Sequence, residues 1–338
     1  LSPAAVARAL LPGALRDGLA VTRQSLRDLR QRRVRTVQVY VTNRCNSRCL
    51  HCYVWQYKDG VDLPVAVVEG LLRAERIEAE ADFCVEGGEI TLHPERHAVL
   101  AAFEGRRTCV VTNGLLTDRA VDLARRAPFA TLMVSLDGSP STYARLRGVD
   151  SHARVVETIR QARELVRVVV NFTFTPWNGA DDYRHVADTC AELGVELAMP
   201  GVYTPQPYFR TVEPPAPIAG KHEAVPTRDR HQRRYLDLHD RWLRGDKRLP
   251  CFSIFRSALV YPDGDVYFCH QRKALLGNLH QRSFDEIWDA PESRAAQDAF
   301  LHCNDCWCGA HRLQDVYAEP LGQAVMLARR LRESLGGR

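Results

Sequence analysis

Lysine is scarce in this chain, supplying only four of its 46 basic residues. Arginine carries the rest in an Ala-rich background, a bias of codon usage rather than the footprint of a nucleic-acid binder. Nucleic acid is therefore not an expected partner. No apolar run approaches the ~20 residues that cross a bilayer, so no membrane role is expected. No targeting signal is drawn from the start of the sequence, and the expected location is the cytoplasm. No dinucleotide-binding glycine fingerprint is found, which argues against a doubly wound nucleotide fold.

What charge there is sits unevenly. The net charge is +5, yet residues 1–36 hold eight arginines against Asp17 and Asp28, leaving the remainder about −1. A basic leader can touch an anionic surface. The plainer reading is a solvated helix, residues 1–34, covering the start of the main domain.

Cysteine is abundant, with 11 in 338 residues. Clustered cysteines in a cytosolic chain more often hold metal or do redox chemistry than form disulfides. Cys45, Cys49 and Cys52 form one cluster, Cys303, Cys306 and Cys308 another, with Cys251 and Cys269 between. Cys84, Cys109 and Cys190 stand apart, as small core hydrophobes usually do. The first cluster has the spacing C-x3-C-x2-C, one short of the four ligands that close a structural zinc site.

Periodicity supplies the frame. "TVQVYV" (36–41) reads as a strand entering the cysteine loop, and 63–80 has helical spacing. Strands follow at 81–89, 107–114, 130–138, 167–174 and 195–203. Helices intervene at 95–105, 118–127, 153–166 and 182–194. This alternation means parallel βαβ units. Six of them favour an α/β partial (β/α)6 TIM barrel, whose chemistry gathers where strands end. There lie the cysteine loop, "GGE", "TNG" and "SLDG". Six prolines crowd 204–226, a linker or flap, before a helix at 234–245.

With "CNSRCLHC" after the first strand, "GGE" after the second and "SLDG…RLRG" after the fourth, residues 35–205 resemble a radical S-adenosylmethionine (radical SAM) enzyme. The resemblance implies that Cys45, Cys49 and Cys52 hold three irons of a 4Fe–4S cluster, the fourth iron being chelated by the methionyl part of S-adenosylmethionine. Reductive cleavage would yield a 5′-deoxyadenosyl radical able to take hydrogen from an unactivated C–H bond. Gly87, Gly88 and Glu89 match the motif that receives the methionyl ammonium. Ser135 and Asp137 match positions near the ribose, Arg147 the arginine that faces the carboxylate, and His51 a residue beside adenine. Asn113 either joins this set or simply makes its turn. Glu86, where relatives commonly have a small or hydroxyl residue, either faces the substrate or is a surface or paired carboxylate. A zinc site completed by His51 or a distant residue is the competing reading of the triad.

The second region resembles the auxiliary-cluster extensions called SPASM and twitch. It runs C-x12-G-x4-C over 251–269 with an Asp-Gly hairpin, and continues with "CNDCWC" at 303–308. Five cysteines suit the shorter twitch form with one cluster, making two 4Fe–4S clusters in all. The family order assigns Cys251, Cys269, Cys303 and Cys306 as ligands and leaves Cys308 over. Zinc on Cys303, Cys306 and Cys308 with His302 or His311 is the alternative. The expected domains are a helical leader (1–34), the barrel (35–205), a Pro-rich linker and helix (206–249), a twitch domain (250–315) and a C-terminal helix (316–338).

A single-cluster twitch resembles enzymes of aminoglycoside and related sugar biosynthesis. The expected substrate is a hydroxyl-bearing carbon of a sugar or aminocyclitol, epimerised or dehydrogenated. A flavodoxin or ferredoxin is the expected electron donor. Epimerisation needs a hydrogen-atom donor, for which Cys308 is the candidate. Modification of a ribosomal peptide is the runner-up, and a non-catalytic iron–sulfur protein the third reading.

Overall fold

A computed structural model describes residues 23–57, 59–126, 129–203, 225, 230–272 and 274–317. A helix covers 23–31, and β1 (Val34–Thr42) follows at once. Val37, Val39 and Val41 of β1 are fully buried on one face in the main core, while Tyr40 turns to the other face and packs with Leu259 and Tyr261. This period-2 division is what the alternating sequence anticipates.

Beyond β1 run α1 (Val65–Leu72), β2 (Ile77–Gly87), α2 (Arg96–Ala102), β3 (Arg107–Thr112), α3 (Thr117–Arg126) and β4 (Thr131–Ser135). Then come α4 (Pro140–Arg147), α5 (His152–Ala162), β5 (Arg167–Asn171), β6 (Thr173–Phe174), α6 (Ala180–Leu193), β7 (Glu196–Leu197) and β8 (Gly201–Val202). Strands β1–β5 and β7 pair in parallel, in that order. The outcome is a partial (β/α) barrel core with a small C-terminal cluster-binding subdomain. Among the described residues no helix is long and apolar enough to cross a membrane.

Four elements depart from the sequence reading. The helix expected over 63–80 stops at Leu72, and the chain is a strand from Ile77. There Val34 pairs with Ile77, and the Asp285 carboxylate accepts from the amides of Glu75 and Arg76. Helical spacing within 77–80 loses to pairing with partners distant in sequence. The strands at 167–174 and 195–203 each break in two. Their second halves, β6 and β8, form a separate two-stranded sheet. Helix α4, over "PSTYARLR", was not read from the sequence at all.

The C-terminal part is less separate than expected. Helix α7 (Arg230–Leu243) precedes β9 (Ser257–Val260), β10 (Asp265–Tyr267), β11 (Gly277–Asn278), α8 (Phe284–Asp289), α9 (Pro291–Phe300) and α10 (Gly309–Tyr317). Strand β9 pairs in parallel with β1, from Thr36↔Ser257 to Val39↔Val260, and β10 and β11 extend the same nine-stranded sheet. Helix α7, grouped with the linker on sequence, packs Tyr235 and Leu238 into a cluster with Trp307. The expected leader lies outside the described residues up to 22, and so does most of the expected C-terminal helix (318–338).

Candidate functional site

The cysteine loop leaves the end of β1 clamped on two sides. On one side the amide of Gly88 donates to the Thr42 carbonyl and that of Glu89 to the Arg44 carbonyl, both at 2.7 Å. A Cβ on Gly88 would collide with the Arg44 carbonyl, so the double glycine lets two backbones touch. On the other side the amides of Arg48 and Leu50 donate to the carbonyls of Arg147 and Leu146, at 3.0 and 2.9 Å. Gly148 ends α4 in the left-handed region (φ 68°), where a Cβ would lie 2.6 Å from the Arg48 carbonyl oxygen. The "RLRG" stretch thus shapes the loop through its backbone.

The three thiols of the loop feel one another electrostatically. Burial pushes Cys45 up to about 12 and raises Cys49 and Cys52 as well. Such thiols ionise only against compensating positive charge. The Ser47 amide donates to Cys45 Sγ at 3.5 Å, and Arg147 Nη1 lies 3.8 Å from Cys49 Sγ. Asn113 Nδ2 lies 4.0 Å from Cys45 Sγ. His51 Nδ1 and Arg147 Nε are buried with no hydrogen-bond partner among the described residues. Three thiols that interact electrostatically, N–H groups aimed at sulfur and orphaned polar atoms beside them suit a thiolate-held iron–sulfur cluster with a polar ligand.

Around the loop the predicted residues come together, with more prior commitments than foreseen. Glu89 is 1% exposed, and its carboxylate accepts four hydrogen bonds: from the Thr91 amide and hydroxyl, the Thr112 hydroxyl, and the Asn113 amide. Burial raises its pKa while those donors oppose the rise. Glu89 is therefore first a bracket between the ends of β2 and β3, through Thr91 and Thr112, which the sequence reading did not single out. Asn113 makes its turn and also reaches the cysteine loop. Its Oδ1 accepts from the Leu115 amide at 3.0 Å in the turn, and its Nδ2 donates to Asn46 Oδ1 at 2.8 Å across to the cysteine loop.

Asp137 accepts from the Thr173 amide at 2.8 Å and forms a buried ion pair with Arg147. Burial alone would lower the Arg147 pKa, but Asp137 and Cys49 outweigh it and hold the guanidinium charged. Ser135 is buried at the end of β4 opposite Asn171. Burial, with Arg147 adding to it, lowers His51 to about 4, so its imidazole is neutral, and its ring lies edge-on to Tyr203 at 6.4 Å.

Glu86, Cys84 and Tyr40 share the inner face of the sheet, Tyr40 opposite Glu86 in the β1–β2 register and Cys84 opposite Cys109 in β2–β3. Burial raises Glu86 to about 7, partly offset by a hydrogen bond from Tyr40. This carboxylate is paired inside the barrel rather than on its surface. Cys190, by contrast, is buried on α6.

In the C-terminal subdomain Cys251, Cys269, Cys303 and Cys306 are close enough to interact electrostatically. Burial pushes Cys269 up to about 11, the amides of Arg272 and Gln271 lowering it and Cys306 and Cys303 raising it further. Burial also raises Cys251, where Cys306 and Cys269 add to the rise. The residue that assembles them was missed on sequence. Arg312, fully buried on α10, donates to the carbonyls of Cys303, Cys306, Leu249 and Pro250, all at 3.0–3.1 Å, and pairs with Asp315 at 3.3 Å. One guanidinium fork thus ties the chain just before Cys251 to the Cys303–Cys306 loop. A cavity of about 290 Å³ lies beside Cys303, with Arg248, Arg272 and Phe300 in its wall. Cys308 groups with His270 and His311.

Residues 39–205 match the Radical SAM superfamily, and residues 251–307 match SPASM, an iron-sulfur cluster-binding domain. Fold, site and these two matches give the chain a radical SAM/SPASM-type iron–sulfur architecture. A curated relative is the probable GTP 3′,8-cyclase of Methanocaldococcus jannaschii, 23% identical over 180 residues, which cover 51% of this chain and 60% of that protein. The chain thus spans about three fifths of that relative's length. Streptococcus suis SuiB bound to S-adenosylmethionine superposes with a TM-score of 0.63 at 16% identity, over 81% of this chain and 71% of that one. Native anSMEcpe with bound AdoMet and Cp18Cys peptide superposes with a TM-score of 0.55 at 15% identity, over 89% and 98%. At such identities these structures establish the shared fold.

Proposed function

We propose that the chain is a radical SAM enzyme that modifies a peptide. The observation that carries this reading is the continuity of barrel and cluster subdomain through the β1–β9 pairing, in an architecture shared over most of its length with two proteins whose structures contain peptides. SuiB has been seen bound to the precursor peptide SuiA, and anSMEcpe to Cp18Cys peptide. S-adenosylmethionine held at a reduced cluster would supply radical hydrogen-abstraction chemistry. The chain's part is to hold and shield that chemistry. Cys45, Cys49 and Cys52 would ligate the barrel cluster, and Cys251, Cys269, Cys303 and Cys306 the auxiliary one. The Gly87–Gly88 backbone allows close approach of the methionyl group, and Arg147 presents a guanidinium to its carboxylate. Ser135 and Asp137 would lie by the ribose and His51 by the adenine. A flavodoxin or ferredoxin would deliver the electron.

The carbinol of a sugar or aminocyclitol is the second reading, and Glu86 favours it. A buried carboxylate near neutrality, held by Tyr40, can take the proton of a hydroxyl-bearing carbon undergoing oxidation. The experiment is anaerobic turnover of reconstituted protein with two panels, short peptides encoded beside its gene and aminocyclitol intermediates. 5′-Deoxyadenosine formation is measured by liquid chromatography–mass spectrometry. The peptide reading expects stimulation and a mass change in a peptide. Stimulation only by aminocyclitols replaces it with the carbinol reading, where loss of two mass units marks dehydrogenation and solvent deuterium uptake marks epimerisation.

A further inference from the structure

The seam between β1 and the C-terminal subdomain holds a group that neither cluster uses. His270 Nδ1 and His311 Nε2 point at each other, 2.7 Å apart. Cys308 joins them, all three ligand atoms lying within 4.8 Å of one another. Both histidines are buried, and Cys308 is half-buried. The outer nitrogens are fixed: His270 Nε2 lies 3.1 Å from the Tyr40 hydroxyl, and His311 Nδ1 bonds the Ser253 hydroxyl. Ser253 Oγ is itself held, donating to Ser257 Oγ at 3.2 Å.

We infer that His270, Cys308 and His311 form a mononuclear zinc site, distinct from the two iron–sulfur clusters. Metal-ligating imidazoles turn one nitrogen to the metal and give the other to a hydroxyl, carboxylate or carbonyl that fixes the ring. That is the arrangement of both rings here. Two imidazoles and one thiolate are a borderline-soft set that suits zinc, and three protein ligands leave a fourth position for water or a substrate atom. Tetrahedral zinc sets its nitrogens about 3.3 Å apart, and nitrogen and sulfur about 3.6 Å apart. The rings need part by only about 0.6 Å from their present contact to admit the ion. The site draws on three places: His270 just after β10, Cys308 before α10, and His311 within α10. Zinc would therefore pin that helix to the hairpin and, through Tyr40, to the first barrel strand. Cys308, left over from the auxiliary quartet, thereby acquires a partner set of its own.

The test uses the full chain, reconstituted anaerobically with iron and sulfide, given one equivalent of zinc and desalted. Metals are counted by plasma mass spectrometry, and the zinc environment is read by X-ray absorption. The expected result is about one zinc per chain with a two-nitrogen, one-sulfur shell. His311→Gln and Cys308→Ser should each lose that zinc by tenfold or more while iron and the circular dichroism spectrum stay unchanged. The unchanged iron and spectrum show that the variants have folded. An all-sulfur zinc shell, zinc retained in either variant, or wild-type protein holding less than about a fifth of an equivalent overturns the site. A fall in iron in Cys308→Ser overturns it too, by making Cys308 a cluster ligand.

Discussion

Glu86 shows how one residue's environment sets a measurable property. In the unfolded chain its carboxyl ionises near 4.5, and in the fold burial raises it to about 7. Between those values the native state keeps a proton that the unfolded chain has released. The stability of the neutral carboxyl is therefore full below pH 4.5 and is lost as pH rises through 7. Allowing for partial exposure, the loss is on the order of 2 kcal/mol. Anaerobic melts at pH 6 and 8.5 should show wild type losing a few degrees more than Glu86→Gln, and parallel curves would remove the assignment. Arg312 makes the opposite case, a charge whose removal strands others. Arg312→Met leaves Asp315 without that partner and four carbonyls without their donor, a cost of roughly 3–5 kcal/mol. Iron content should fall by about half as the auxiliary quartet loses its frame. Full iron and an unchanged melt would show that the cysteine segments hold themselves.

At the scale of elements, the join between α4 and the cysteine loop decides how the triad is presented. Gly148 combines a left-handed backbone with a contact that a Cβ would fill, so Gly148→Ala should cost about 2 kcal/mol and move Arg48 with it. Cys49 sits one residue on, and the amides of Arg48 and Leu50 around it are the ones bonded to α4. Reconstituted Gly148→Ala should therefore lose barrel-cluster iron and 5′-deoxyadenosine formation while the auxiliary cluster stays, as read by electron paramagnetic resonance. Wild-type rates of cofactor cleavage in that variant would show that α4 does not set the loop. The same element explains a miss on sequence. "PSTYARLR" is short, carries two β-turn formers at its start, and has no strong apolar stripe, so periodicity passed over it. Its Pro at the first turn and Gly at the end are the helix signals that could have found it.

At the scale of the molecule, two clusters should bind about eight irons. Replacing Cys45, Cys49 and Cys52 by Ala should remove half of them and abolish 5′-deoxyadenosine. Cofactor cleavage surviving in the triple variant would make the barrel assignment wrong. Cys269→Ala should do more than empty the second cluster. Because β9 and β10 continue the barrel sheet from β1, loss of the hairpin uncovers an edge of the barrel itself. A calorimetric scan should then show one transition lowered as a whole, since metal binding free energy is folding free energy for such ligand-rich segments. Two separate transitions, with the barrel's unmoved, would mean that the shared sheet does not couple the parts.

Local spacing carried much of this protein in its sequence. Three cysteines in one loop, the double glycine at the next strand end and alternating strands and helices are short-range patterns. They announced the barrel, the triad and the auxiliary cysteines, because backbone period and ligand spacing act over a few residues. What tertiary structure alone decided depends on partners far apart in the chain. Whether Glu86 faces inward was open until β1 laid Tyr40 beside it. Cys308 had no company until His270 and His311 arrived from separate elements. Arg312 looked like one arginine among many until four carbonyls from two distant segments closed on it, since desolvation and convergence of distant groups leave no periodic mark in a sequence.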